Sequence, residues 1–152
     1  LHNLHGIKAP AFIPAKAKHM VRDCKLIAEK NNVKFKFNSY FTIRSLNLMR
    51  GVLVAEEDDF KSYYIDNIFD AIWQDGLNMN DENIFQRILK NLNVNPKTFL
   101  LRIGSSSIKD SLRKKTSEAY DKGIFGAPTF VSNNKIFWGQ DSIEFALNEA
   151  NK

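Results

Sequence analysis

Cysteine is nearly absent from this sequence: its 152 residues include one, Cys24. No intramolecular disulfide and no CxxC redox pair can form from a single thiol, so a dithiol oxidoreductase acting through this chain alone is excluded. Long apolar runs are missing as well. No stretch of about 18 uncharged apolar residues occurs, and the opening segment lacks the charged, apolar and cleavage regions of a secretory leader. The expectation is a soluble, cytoplasmic protein with no membrane partner. Metal-ligand clusters are equally scarce: His2 and His5 stand three apart in an irregular terminal stretch without a third ligand, and no metal is expected there. The opening LHNLHGIKAP also has no periodic pattern and no turn that starts a domain cleanly. It reads as an entry in mid-protein, so a truncation is expected.

What the chain does have is enough apolar residue, 43%, to bury one sizeable core at the usual length of a single domain. Its formal charge of +5 is unevenly placed. Residues 1 to 36 carry Lys8, Lys16, Lys18, Arg22, Lys25, Lys30, Lys34 and Lys36 against Asp23 and Glu29, and the remainder is close to neutral. A local basic surface suits an anionic ligand; a solvated helix face explains the same charges equally well. Because charge alone speaks for it, nucleic acid is not expected as a partner.

Periodicity predicts helices through most of the chain. Pro14 to about Asn31 repeats apolar residues at three- and four-residue steps. The alternating Val33 to Phe37 fits a short strand or an extended linker. Ser45 is placed to cap a second helix that ends in the acidic cluster Glu56 to Asp59, and that cluster is expected to form the first turn of a third helix running to Gly76. Asn80 or Asp81 opens a fourth, Asn95-Pro96 a fifth, and the serines at 105 to 107 a sixth that stops before Gly123. From Ala127 the period changes. Thr129 to Val131 and Lys135 to Phe137 read as a hairpin with Ser132, Asn133 and Asn134 between the strands, and Asp141 is expected to cap a last helix. A lone hairpin is marginal, so helices cover it or further strands lie upstream.

The segment Gly123-Ile124-Phe125-Gly126-Ala127-Pro128-Thr129-Phe130 puts a proline at the mouth of a strand, where it forfeits a ladder hydrogen bond. A cis Ala127-Pro128 bond is the expected explanation, leaving the N–H and C=O of Ala127 open to an added extended peptide; a plain loop proline is the simpler alternative. This segment, the hairpin and Phe137-Trp138-Gly139-Gln140-Asp141 together resemble the C-terminal signature of the 2-hydroxychromene-2-carboxylate isomerases and the kappa-class glutathione transferases. Similar correspondence runs through Pro10, Pro14, Lys16, Asp23, Ser45-Leu46, Met49-Arg50 and Trp73.

The resemblance implies an α/β, DsbA-like thioredoxin fold with a large helical insertion, here mostly helical because the N-terminal part of the sheet is not represented. Residues 1–13 and 120–152 would form the thioredoxin-like remainder, and 14–119 the insertion. It further implies glutathione as cofactor, bound by Lys16, Ala127, Pro128, Gln140 and Asp141, with Trp73 lining the pocket of an aromatic carboxylate substrate. In the family a serine upstream activates the glutathione sulfur. No catalytic residue is therefore named in this chain, and as a truncated chain it is expected to be inactive. Two positions depart from the family pattern: Ile7 stands at a kappa-class asparagine, and Ser142 where isomerases carry arginine. Trp138 points to the isomerase branch over the transferases. A non-catalytic thioredoxin-like binding module is the alternative from another class, and a homodimer is a further expectation. Cys24, on the apolar side of its helix, reads as a small buried hydrophobe.

Overall fold

The computed structural model describes residues 1–152. Helices α1 (Pro14–Lys30), α2 (Leu46–Glu57), α3 (Lys61–Trp73), α4 (Glu82–Asn91), α5 (Pro96–Ile103) and α6 (Ser106–Asp121) precede strands β1 (Thr129–Ser132) and β2 (Lys135–Trp138) and helix α7 (Ile143–Ala150). Single 3-10 turns at Pro10–Phe12 and Gln140–Ser142 lead into α1 and α7. None of these helices is long and apolar enough to cross a membrane. By backbone packing the chain divides into a helical unit, Pro10–Arg113, and a C-terminal unit made of Leu1–Ala9 with Lys114–Lys152.

Helix boundaries follow local chemistry. Pro14 occupies the first turn of α1 and Pro96 that of α5, where the missing N–H has no intrahelical acceptor to lose. The side chains of Asp81 and Asn95 accept from the N–H groups of Asn83 and Thr98 and cap α4 and α5. Helices α1, α2, α4 and α6 all end on a left-handed residue: Asn32, Asp59, Asn93 and Gly123. In each, the following N–H reaches back five residues, Val33 to Ala28, Phe60 to Ala55, Val94 to Leu89 and Ile124 to Ala119, all at 2.9 Å. Short polar residues and glycine tolerate that conformation.

Three expectations require correction. Ser45 flanks α2 but makes no side-chain cap. The acidic cluster does not begin α3, whose first residue is Lys61. Those carboxylates bind cations instead: Arg102 donates to Glu57 at 2.7 Å and Asp58 at 2.5 Å, and Lys61 to Glu56 at 2.6 Å. Finally, α7 begins after Ser142 with no side-chain cap, while Asp141 lies inside the preceding 3-10 turn. Val33 to Phe37 takes the linker form of its two alternatives and belongs to neither strand.

The core of the helical unit forms where α2, α3, α4 and α5 turn their apolar stripes together. Tyr64 and Phe99 are 1% and 2% exposed, their rings 5.7 Å apart, and the Tyr64 hydroxyl donates to the Leu48 carbonyl at 3.1 Å. Burial pushes the Tyr64 pKa up, so the phenol stays a neutral donor. Gly51 makes room for this ring, since a Cβ there would collide with the Tyr64 hydroxyl and sit 3.2 Å from Phe99. The linker after α1 is pinned to the end of α3 by fully buried Asn38. Its Nδ2 donates to the carbonyls of Ile72 at 3.0 Å and Leu77 at 2.9 Å, and its Oδ1 accepts from the Tyr40 N–H at 2.8 Å.

In the C-terminal unit Asn133 and Asn134 both have positive φ, 48° and 60°, the signature of a tight two-residue hairpin turn whose twist matches the strands. The antiparallel register pairs Thr129 with Trp138, Phe130 with Phe137, Val131 with Ile136 and Ser132 with Lys135. Opposed residues share a face, so Phe130, Phe137 and Lys135 point one way while Val131, Ile136 and Trp138 point the other. Helix α7 packs on the first face. Glu149 holds it there: Lys135 and Lys152 each donate to its carboxylate at 2.8 Å, and Asn133 donates to its carbonyl at 2.7 Å. The Lys135 bond, seconded by Lys152, holds the Glu149 carboxyl down at about 2.

Candidate functional site

The site of interest lies between the end of α6 and the start of β1. Gly123, with φ 77°, closes α6, and the chain then runs through Ile124, Phe125 and Gly126 to a cis Ala127-Pro128 bond. Three contacts fix the loop. The Thr129 hydroxyl donates to the Gly126 carbonyl at 2.6 Å. The Gly139 N–H donates to the Pro128 carbonyl at 3.0 Å. His5 Nε2 donates to the Ile124 carbonyl at 3.0 Å while its ring rests 4.5 Å from Tyr120. The exposed Ala127 between these anchors uses neither its N–H nor its C=O in a backbone hydrogen bond. A rigid loop thus presents one open donor and one open acceptor, which is what pairing with an extended peptide requires.

Pro128 and the Gly139 to Asp141 turn are neighbours through the Pro128 carbonyl. Gly139 has φ 93°, and a Cβ there would lie 2.6 Å from Asp141 Oδ1, so glycine admits both the backbone angle and the carboxylate above it. Ser142 closes the turn, its N–H donating to the Gly139 carbonyl at 3.2 Å and its hydroxyl to the Trp138 carbonyl at 2.8 Å. Gln140 and Asp141 are exposed. Ala127, Pro128, Gln140 and Asp141 are therefore assembled in one unit.

Lys16 and Trp73 belong to the helical unit. Lys16 is exposed in the first turn of α1. Trp73 ends α3, accepts at its carbonyl from the Lys36 N–H at 2.6 Å, and stands among Phe35, Phe37 and Phe41 at 5.9, 6.0 and 6.0 Å. The Cys24 thiol is pushed up by burial and by the adjacent Asp23, which disfavours the thiolate that redox or nucleophilic work needs. The hydrogen-bonding roles of Thr129 and Ser142 escaped the sequence reading. Hydroxyls that bond to backbone a few residues away leave no spacing pattern to detect.

A comparison with protein-family profiles matches residues 2–150 to the DSBA-like thioredoxin domain. The 2-hydroxychromene-2-carboxylate isomerase of Sphingobium xenophagum is 26% identical over 130 residues, covering 86% of this chain and 66% of that protein. Proteins of the same name from Pseudomonas putida and Pseudomonas sp. (strain C18) are 20% and 23% identical, covering 91% and 89% of this chain. The chain spans 66% and 62% of their respective lengths. A solved 2-hydroxychromene-2-carboxylate isomerase superposes with a TM-score of 0.81 at 19% identity, covering 95% of this chain and 70% of that one, which shows the shared thioredoxin-type fold, mostly helical in this chain. With its proline loop, hairpin and closing helix in that order and its sequence matched nearly end to end, the chain belongs to the DSBA-like thioredoxin domain family.

Proposed function

We propose that this chain serves a glutathione-dependent isomerase of the 2-hydroxychromene-2-carboxylate isomerase type, with Ala127, Pro128, Gln140 and Asp141 forming its glutathione-docking surface. The observation that carries this reading is the unpaired N–H and C=O of Ala127 on a loop otherwise held by hydrogen bonds. Glutathione is an extended tripeptide, and its central residue needs one acceptor and one donor of this kind. The Gly139–Asp141 turn beside it suits the γ-glutamyl end: the Asp141 carboxylate matches an ammonium, and the first N–H groups of a helical turn match a carboxylate.

When bound, glutathione would supply a thiolate nucleophile suited to reversible addition to a conjugated double bond. The chain's own part is to bind and orient. Ala127 holds the middle of the peptide against sliding, and Asp141 fixes its charged end. No residue here is assigned to activating the thiol. Such docking residues raise the effective concentration of the nucleophile at the substrate. Calorimetric titration with glutathione tests the reading: saturable binding is expected, weakened about tenfold by Asp141→Asn as a charge-assisted contact is lost. Absence of any saturable heat would overturn it.

A further inference from the structure

The two tryptophans differ in what their rings touch. Trp73 has three phenylalanine rings around it. Trp138 has one, Phe125, at a centroid distance of 5.2 Å and a tilt of 48°, and it remains 52% exposed. Its position is nonetheless built. A Cβ on Gly126 would lie 2.6 Å from Trp138 Nε1, so the indole rests on a residue that has to be glycine for it to do so. Gly126 needs no special backbone angle, so its lack of a side chain serves the seating of the indole. Cross-strand pairing with Thr129 and the Ser142 bond to its carbonyl hold the backbone of Trp138.

The indole therefore sits one residue from the open N–H and C=O of Ala127. From Gly123 to Asn134 the chain carries no charged side chain, so the loop and first strand beside the indole are uncharged. We propose that Trp138, seated by Gly126 and backed by Phe125, is the stacking surface for the planar, conjugated part of the substrate that meets a thiol docked at Ala127. Trp138 then acts as a specificity residue that selects flat ligands, and Gly126 as the residue that positions it. The inference rests on the function proposed above and deepens it.

The test uses the full 152-residue chain and its Trp138→Leu variant, so that the fluorescence response of Trp138 is read by difference. The probes are trans-cinnamate, a planar conjugated acid, and cyclohexanecarboxylate, which has equal charge and no flat face. Saturable quenching by cinnamate and none by cyclohexanecarboxylate is expected. By calorimetry, Trp138→Leu should weaken cinnamate binding about tenfold, the scale of one aromatic pair, with Trp138→Phe restoring most of it. Gly126→Ala should weaken cinnamate similarly by displacing the indole. Equal cinnamate affinity in Trp138→Leu and parent, or no cinnamate binding by the parent, overturns the proposal. Glutathione is titrated separately. Glutathione binding without cinnamate binding removes this inference alone, whereas Trp138-dependent cinnamate binding without glutathione binding removes the docking reading and leaves the stacking surface standing.

Discussion

The helical unit and the C-terminal unit use apolar residues in opposite ways. Every buried apolar side chain but one lies between Leu48 and Ile108, and the exception is Ala146. In the helical unit four amphipathic helices meet stripe to stripe, and each stripe finds a partner. The C-terminal unit has one hairpin with two apolar faces, and α7 covers one of them. Helix α7 takes the Phe130 and Phe137 face, leaving Val131 at 53%, Ile136 at 38% and Trp138 at 52% exposure on the other. Buried apolar surface is concentrated in the helical unit, while the hairpin keeps one apolar face open; an apolar group can bind a ligand only if the fold has not already used it.

The largest effect that would sharpen this contrast is on the core. Phe99→Ala should cost about 3–5 kcal/mol, the usual loss for deleting a buried aromatic ring, read as a lower urea midpoint. Trp138→Leu should shift that midpoint by less than about 1 kcal/mol, as for exposed positions. Similar losses for the two would break the comparison. Next comes Asn38→Ala, which strands the Ile72 and Leu77 carbonyls and should cost about 2–3 kcal/mol; a near-neutral result would mean that water replaces the amide.

In the C-terminal unit the joint at Glu149 depends on pH. Its folded carboxyl titrates at about 2 against an ordinary 4.5, so the unfolded state binds the proton first. The stabilisation is complete above the ordinary value and lost as pH falls toward 2. Amide-exchange protection in β1 and β2, taken relative to the intrinsic rate at each pH, should fall over that window, and Glu149→Gln should flatten the dependence. A pH-independent wild type would show that α7 is held by apolar contact instead. The smallest effect is expected for Arg102→Ala, whose pairs with Glu57 and Asp58 are partly exposed and worth below about 1 kcal/mol. Raising the salt concentration should shrink it further.

The site was legible in sequence to an uneven degree. Ala127-Pro128 announced itself because proline at a strand mouth has few explanations, and Asn133-Asn134 because both accept positive φ. Asp141 was legible as part of a turn, yet its expected capping bond is absent because a 3-10 turn intervenes before α7. The acidic run at Glu56–Asp59 misled for a related reason. Carboxylates suit a helix start, but here an Arg102 from 44 residues away claims them. Exposure of Trp138 left no trace, since a tryptophan in a strand looks the same on a covered face as on an open one.

By itself the sequence determined the helices, most of their ends, the hairpin and the order of elements. These depend on residues within about five positions of one another, through capping, left-handed tolerance and periodicity. Tertiary structure alone decided which sheet face α7 covers, that Asn38 bridges two distant carbonyls, and that the Trp138 indole comes to rest on Gly126 beside the open backbone of Ala127. Those outcomes depend on which surfaces compete for the same partner, and no local pattern records the winner of that competition.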